Sequence, residues 1–517
     1  MHSLNTKIAS HSQQQPQENQ PNSELFVTSA LTMLSAFMGT AALVSIHHRY
    51  RKQRHPDASL QDYAVGMRSQ LQSLSSTLKR ELVQFRHACQ QATTAWQQAY
   101  RLPIEDKQHT YTNGATEFSA AHTTTVLPRT VCWVSGVASM PKNIGLANDG
   151  SAEACHNGND FGVVGIDADR QIVWQTTMPE RVHDIVVQPI FDRKSTSANH
   201  KKNRDVVVMG RRPSEKFWVL DTANGQVKFA IKASSNRHFY GHACYILDGK
   251  LLYVTENDTI SLDGKIGIYD ADDNYKKIAE FDSHGIGPHE LIMHPDGETL
   301  VIANGGIKTE QASREELNLD SMRPSLVYLN RHTGALLEQI MPEHNQMSVR
   351  HLAMHNDGTV MIGIQFQGEK HINVPLVLTH KRGDADFKAL IMPNNQWQRF
   401  HQYIASVAVD SGRNLLCVTT PIGGCAALYD LNTHTLIDDV SLPDCAGAAV
   451  LYSKCTDNID SRDEQSGFIV SDGQGQLTAL TVNNLAAAKM NAVEKNERIL
   501  KDSKCHMMSF DNHLQAL

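Results

Sequence analysis

From Arg129 onward the chain is written in short apolar runs that alternate with polar residues and stop at Asp-Gly or Asn-Gly pairs. Alternation with a period of two marks strands buried on one face, and those dipeptides mark tight turns. The most regular unit has a histidine before an alternating strand, a DG turn into a second strand, and a third strand ending in aspartate. "HACYILDGKLLYVTEND" followed by "GKIGIYDADD" is one copy. "HELIMHPDGETLVIANGG" with "PSLVYLNRHTG" is the next, and "HLAMHNDGTVMIGIQFQG" with "VPLVLTHKRG" a third. "HDIVVQPIFD" precedes them, and "ASVAVDSGRNLLCVTT" and "AGAAVLYSK" follow as weaker copies. First strands begin near Asp184, Ala243, Glu290, Leu352, Ser406 and Gly447, about 40–60 residues apart, the period of a β-propeller. A further blade assembled within Thr130–Thr176 brings the count to seven, with six or eight as the alternatives. The C-terminal tail around Phe510 can supply a closing strand. No helical pattern separates the strands, which disfavours an α/β fold, and a β-sandwich would not repeat one polar residue at the head of each unit.

Upstream of Arg129 the pattern is different. Residues 1–24 are rich in Gln, Asn and Ser and have little to bury, so they are expected to be disordered. Leu25–Ile46 is 22 residues without a charge, enough to span a bilayer as a helix. It is read as a membrane segment or uncleaved anchor, with a cleaved export signal and a soluble helix as alternatives. Only Lys7 precedes it, whereas Arg49, Arg51, Lys52 and Arg54 follow, a distribution that keeps the downstream part in the cytoplasm. Within residues 57–104, Leu71, Leu74, Leu78, Leu82, Phe85 and Trp96 fall in helical steps and predict an N-terminal helical extension. Residues 105–129 read as a linker, 130–485 as the propeller and 486–517 as a tail.

Composition narrows the function. A formal net charge of −7 removes the basic surface a nucleic-acid binder needs. Nine cysteines without a CxxC pair remove the commonest zinc-finger and thioredoxin-like spacings. No GxGxxG phosphate loop, GxSxG elbow or HExxH helix occurs. Twenty-six histidines are the unusual feature.

Four of those histidines stand at the head of successive units: His183 in "RVHDI", His242 in "YGHAC", His289 in "GPHEL" and His351 in "VRHLA". Rotational pseudo-symmetry turns that shared position into a ring at one mouth of a central channel. Converging imidazoles bind Cu, Fe or Zn, and His238 and Glu290 are close enough in sequence to join or orient them. The competing reading is that each imidazole locks its blade to a neighbour's backbone. His294 and His355, in "MHPDG" and "MHNDG", read as turn caps. Arg237, Arg323 and Arg350 offer either an anion site or packed salt bridges.

The runs "RHFYGHACYILDGKLLYVTEND", "FDSHGIGPHELIMHPDGETLVIANGGIKT", "LNLDSMRPSLVYLNRHTGALLEQI" and "SVRHLAMHNDG" closely resemble the DUF1513 family of bacterial WD40-like propeller proteins, over roughly residues 130–480. The resemblance implies an exported protein, encoded beside imelysin-like proteins of iron uptake, and names no reaction. No twin-arginine motif precedes the apolar run, a departure from that family. The expectation is therefore a periplasmic, membrane-anchored binding module with a protein partner of iron-uptake type; the cytoplasmic side of the inner membrane is the alternative location. The second functional reading is a transition-metal protein or enzyme using the histidines.

Overall fold

The computed structural model describes residues 123–125, 129–140, 161–189, 204–212, 214–310, 316–451, 467–482 and 498–517. The N-terminal segments discussed above, Leu25–Ile46 and the stripe from Leu71 among them, lie outside these residues. Among the described residues no helix is long and apolar enough to cross a membrane.

Seven antiparallel sheets of four or five strands form a seven-bladed β-propeller. Six blades are built in chain order, each starting at its innermost strand. Those strands are Val182–Val187, Arg237–Tyr245, Pro288–Met293, Met347–Met354, Ser406–Asp410 and Cys445–Leu451. The first blade is built differently. Trp133–Ser139, Gly162–Ile166 and Ile172–Thr177 come from the start of the described chain, and Thr123–Thr125 adds an outer edge. Its innermost strand is Ser509–Ala516, paired antiparallel to Trp133–Ser139. Both ends of the propeller thus meet in one sheet, which closes the ring and leaves only short inner edges facing the channel. Ile499–Cys505 is the outer strand of the seventh blade, so strands continue well past residue 485.

Alternation explains why the blades stack. The inner strands bury side chains on both faces of each sheet, so every gap between neighbouring blades fills with its own core. Trp174, Val206 and Trp218 fill the gap between the first two blades, and Phe217, Phe239 and Tyr269 the next. Trp133, Val164 and Phe510 pack against Ile469 and Leu477 across the closing interface between the seventh blade and the first. Outer strands such as Leu336–Ile340 stay largely exposed. Cys417, Cys425 and Cys445 are buried free thiols inside these cores, and Cys132 is disulfide-bonded.

Candidate metal centre

The histidines at the head of each unit do not precede the innermost strands; they lie within them, where the pairing slips. The register with the second strand shifts between Val182 and Ile185, between Pro288 and Glu290, and between Val349 and His351. In the third blade it shifts opposite Tyr240, Gly241 and His242. A β-bulge bends the strand and re-aims the side chains at the slip. Here it turns His183, His242, His289 and His351 toward one another at the mouth of the channel. The bulge backbone of His242 is satisfied locally, since Thr255 Oγ1 accepts from its N–H at 3.2 Å and donates to its carbonyl at 3.0 Å.

The closing strand adds a fifth ring. Ser509–Ala516 slips against Trp133–Ser139 between Phe510 and Leu514, and His513 lies in that slip. Five consecutive blades therefore each deliver one imidazole, while Ser406–Asp410 pairs without a shift and carries no histidine. His242 is the hub. Its ring centroid lies 4.7 Å from those of His183 and His289, 5.0 Å from His513 and 5.8 Å from His351. His289 and His351 are 4.8 Å apart. The arrangement is a packed plug rather than an open ring.

Close approach of the blades depends on Gly241. Its φ of +115 suits glycine, and a Cβ there would meet His183 Cδ2 at 2.3 Å. Gly241→Ala is expected to cost on the order of 1–3 kcal/mol of stability and to push His183 outward. Thermal unfolding, with metal uptake as a second readout, checks both effects.

Two carboxylates flank the rings. Asp184, beside His183, places Oδ2 3.3 Å from His242 Nδ1 and Oδ1 3.7 Å from His513 Nδ1. Both are ion-pair distances without hydrogen-bond alignment. Asp184 is itself fixed by the Ile185 N–H at 2.8 Å. Glu290 Oε2 lies 3.1 Å from His351 Nδ1. Burial drives the pKa values of His183, His289 and His351 well below 6.5, helped by the neighbouring imidazoles and arginines, and takes His513 to about 4. These four rings are neutral at physiological pH. Burial also acts to lower His242, but Asp184 more than offsets it and holds His242 above its ordinary value. Asp184 shows the reciprocal outcome: burial raises it, and His242 prevails and brings it down. Burial first, and then the charge of Asp184, lifts Glu290 to about 7 despite His242.

The donor set fits a transition metal. One group consists of His242, His289, Glu290 and His351, and a second of His183, His242 and His513; within each, one ligand atom per residue lies within 4.8 Å of the others. Four tetrahedral donors at 2.0–2.1 Å from one ion stand about 3.4 Å apart, so modest side-chain rotation closes either group around an ion. Among the described residues, Nδ1 of His289 and Nε2 of both His242 and His513 are buried with no hydrogen-bond partner, and Nδ1 of His242 has only the misaligned Asp184 carboxylate. No ring nitrogen of the five histidines bonds to a backbone group among the described residues, which removes the geometry a blade-locking histidine requires. An unsatisfied buried polar atom costs about 1–3 kcal/mol, and coordination supplies the missing partner.

His238 does not join the cluster. It lies on the far side of the Gly241 bulge, fully buried, with its ring 6.3 Å from that of Tyr240. Burial, and then the charge of Arg212, take its pKa down to about 4. His294 and His355 cap their turns, each accepting the N–H two residues on. Arg237 is a packed salt bridge with Glu280 and Asp258. Arg350 instead lies beside the imidazoles, where its charge bears on His242, His289 and His351. Inside the cluster, a cavity of about 350 Å³ runs along the axis. Asp184, Glu290, His351 and His513 form its polar end, and residues such as Val187, Ile292 and Val450 its apolar wall.

The family model described as "Protein of unknown function (DUF1513)" matches residues 188–517. No curated protein matches the chain. Among solved structures, Kuenenia stuttgartiensis hydrazine synthase is 14% identical, covering 62% of this chain and 88% of that one at a TM-score of 0.43. The crystal structure of a mitotic checkpoint complex is 13% identical, covering 55% and 74% at a TM-score of 0.37.

Proposed function

The chain belongs to the DUF1513 family, and from that premise we propose that it is a transition-metal-binding propeller protein. Its ion would be held by His242, His289, Glu290 and His351, with His183 and His513 completing the imidazole wall. One observation carries this reading: five imidazoles from five blades converge in a buried plug, with ring nitrogens that no protein group satisfies. Nitrogen donors with one carboxylate suit zinc, copper or iron, whereas calcium takes oxygen donors. Asp184 would hold His242 through Nδ1 and leave Nε2 for the ion, the arrangement by which outer carboxylates orient ligating imidazoles. The metal would supply Lewis-acid or redox chemistry at the channel mouth.

The test is titration of chelator-stripped full-length protein with Zn²⁺, Cu²⁺ and Fe²⁺ separately, followed by calorimetry and thermal unfolding. Saturable uptake of one ion per chain, with a raised melting temperature, is expected, because a ligand that binds only the folded state stabilises it. Acid should reverse it. Coordination requires deprotonated donors, and below about pH 6 both His242 and Glu290 carry protons the ion must displace. Affinity at pH 5.5 is therefore expected to be at least about tenfold weaker than at pH 8. A pH-independent affinity would point to a site elsewhere.

A periplasmic location is part of the proposal. Its support is the family membership and the disulfide at Cys132, a bond of oxidising compartments. A reporter fused after Leu517, which keeps the closing strand, reads the side of the membrane directly; activity only of a cytoplasm-specific reporter would contradict it.

A further inference from the structure

The channel mouth carries more positive charge than its carboxylates answer. Arg211 and Arg350 bear on the imidazole plug, with Arg181 beside Arg211 and Arg212 near Arg350. Arg181 is matched by Asp511, with hydrogen bonds of 2.6 and 2.8 Å. Arg212 lies over the Tyr240 ring at 4.6 Å and donates to Thr309 Oγ1 at 2.7 Å. Arg211 and Arg350 have no carboxylate at ion-pair distance among the described residues. Arg350 donates through Nε to Ser348 Oγ at 3.0 Å, and Ser348 in turn donates to the Gly305 carbonyl at 2.8 Å. That fixes the guanidinium from one side and leaves its terminal nitrogens without a hydrogen-bond partner among the described residues.

Both arginines bear on one phenol, Tyr403. Arg350 bears on Tyr240 as well. Neither phenol oxygen has a hydrogen-bond partner among the described residues. The loop after Thr299–Asn304 forms the adjoining wall. Gly287 passes so near Tyr240 that a Cβ would meet the hydroxyl at 2.9 Å, and a Cβ on Gly305 would meet Ser348 Oγ at the same distance. The close approach of these two glycines keeps the phenol and the guanidinium at the mouth. Of the nearby carboxylates, Asp184 and Glu290 lie against the imidazoles, Asp511 is bonded to Arg181 while its charge also bears on Arg211, and Glu316 bears on Arg350 from beyond ion-pair distance.

We infer that this mouth is a receptor for a small oxyanion, a carboxylate or a phosphate, gripped by Arg350 and Arg211 and hydrogen-bonded by Tyr240 and Tyr403. Planar guanidinium groups present paired N–H donors that match two oxygens of such a ligand, and partly buried cations with no carboxylate at ion-pair distance among the described residues favour its arrival. The charge of Arg211 bears on His183 and that of Arg350 on His289, so a bound oxyanion would also face the ion. That last contact rests on the metal-binding reading; the grip of the arginines does not.

The experiment is calorimetric titration of the full chain, metal-stripped and metal-loaded, with orthophosphate and with oxalate at low ionic strength. Wild type should bind at least one of the two anions in both forms, and the preferred one identifies the ligand class. Arg350→Gln and Arg211→Gln should each weaken binding by about tenfold or more, as expected for loss of a charge-assisted contact. Lys232→Gln, which removes an exposed cation on the outer strand Val227–Lys232, should change nothing. Arg350→Lys keeps the charge without the paired donors and should fall between wild type and Arg350→Gln; it also guards against a misfolded glutamine variant. Failure of both anions to bind wild type, or unchanged binding in both glutamine variants, would overturn the inference. Arginine-dependent anion binding in a chain that takes up no metal would refute the metal reading alone.

Discussion

A chain ending at Met508 is expected to have no cooperative thermal transition. The missing segment contains Ser509–Ala516, the innermost strand of the first blade. Phe510 and Leu514 are 3% and 4% exposed and sit in the core that joins the seventh blade to the first. Emptying two such positions costs about 5–10 kcal/mol by analogy with large-to-small core substitutions. The cut also removes Asp511, which pairs with Arg181, and leaves Trp133–Ser139 with an unpaired edge toward the channel. Those losses match the whole stability of a typical domain, about 5–15 kcal/mol. Calorimetry and binding of a hydrophobic dye read the outcome. A sharp transition within a few degrees of wild type would mean that closure by the C-terminal strand does not hold the ring together.

Most of the fold is legible in the sequence because its determinants are local. Period-two alternation and DG turns are written within each unit, and the first strands read from sequence near Asp184, Ala243, Glu290 and Ser406 fall inside the observed innermost strands. The bulges are not legible. A slip in pairing depends on the partner strand, so His183, His289 and His351 read as residues before a strand when they stand within one. His238 was drawn toward the cluster by its nearness to His242 in sequence. The bulge between them separates the two rings, a separation that counting along the chain does not reveal.

His513 escaped for a topological reason. It belongs to the last strand of the chain and the first blade of the ring, outside the phase of the other units. Phe510 pointed to a closing strand, and carrying the register forward from it would have reached "FDNH". Asp184 left a clearer signal. "HD" at 183–184 and "HE" at 289–290 are the same histidine–acid pair at the same place in two blades, and the structure uses both acids against neighbouring imidazoles. The arginines divide on similar grounds. Arg237 pairs with acids on the second and fourth strands of its own blade, whereas Arg350 shares its bulge with His351 and faces the mouth.

The larger functional effect is expected at the hub of the plug. His242 touches all four other rings and belongs to both potential ligand groups, so no rearrangement of the remaining imidazoles replaces it. His289 offers an Nδ1 with no partner and no adjacent acid at bonding distance. Loss of an outer-shell partner alone costs 10–100-fold in metal affinity, so loss of either ring should cost at least about a hundredfold. Neither substitution should unfold the chain, but His242→Ala strips the buried Asp184 of its charge partner and is expected to be the less stable of the two, whereas His289→Ala removes a ring whose Nδ1 has no hydrogen-bond partner among the described residues.

The most direct measurement is elemental analysis of untagged full-length protein, wild type beside His242→Ala and His289→Ala, each stripped, reloaded and desalted identically. The structure predicts about one zinc, copper or iron ion per wild-type chain and little in either variant, with the stripped His289→Ala protein melting close to stripped wild type and His242→Ala lower, because it leaves Asp184 without its partner. Wild type that retains no metal after reloading, or equal metal in all three proteins, would contradict the assignment of this cluster as a metal centre.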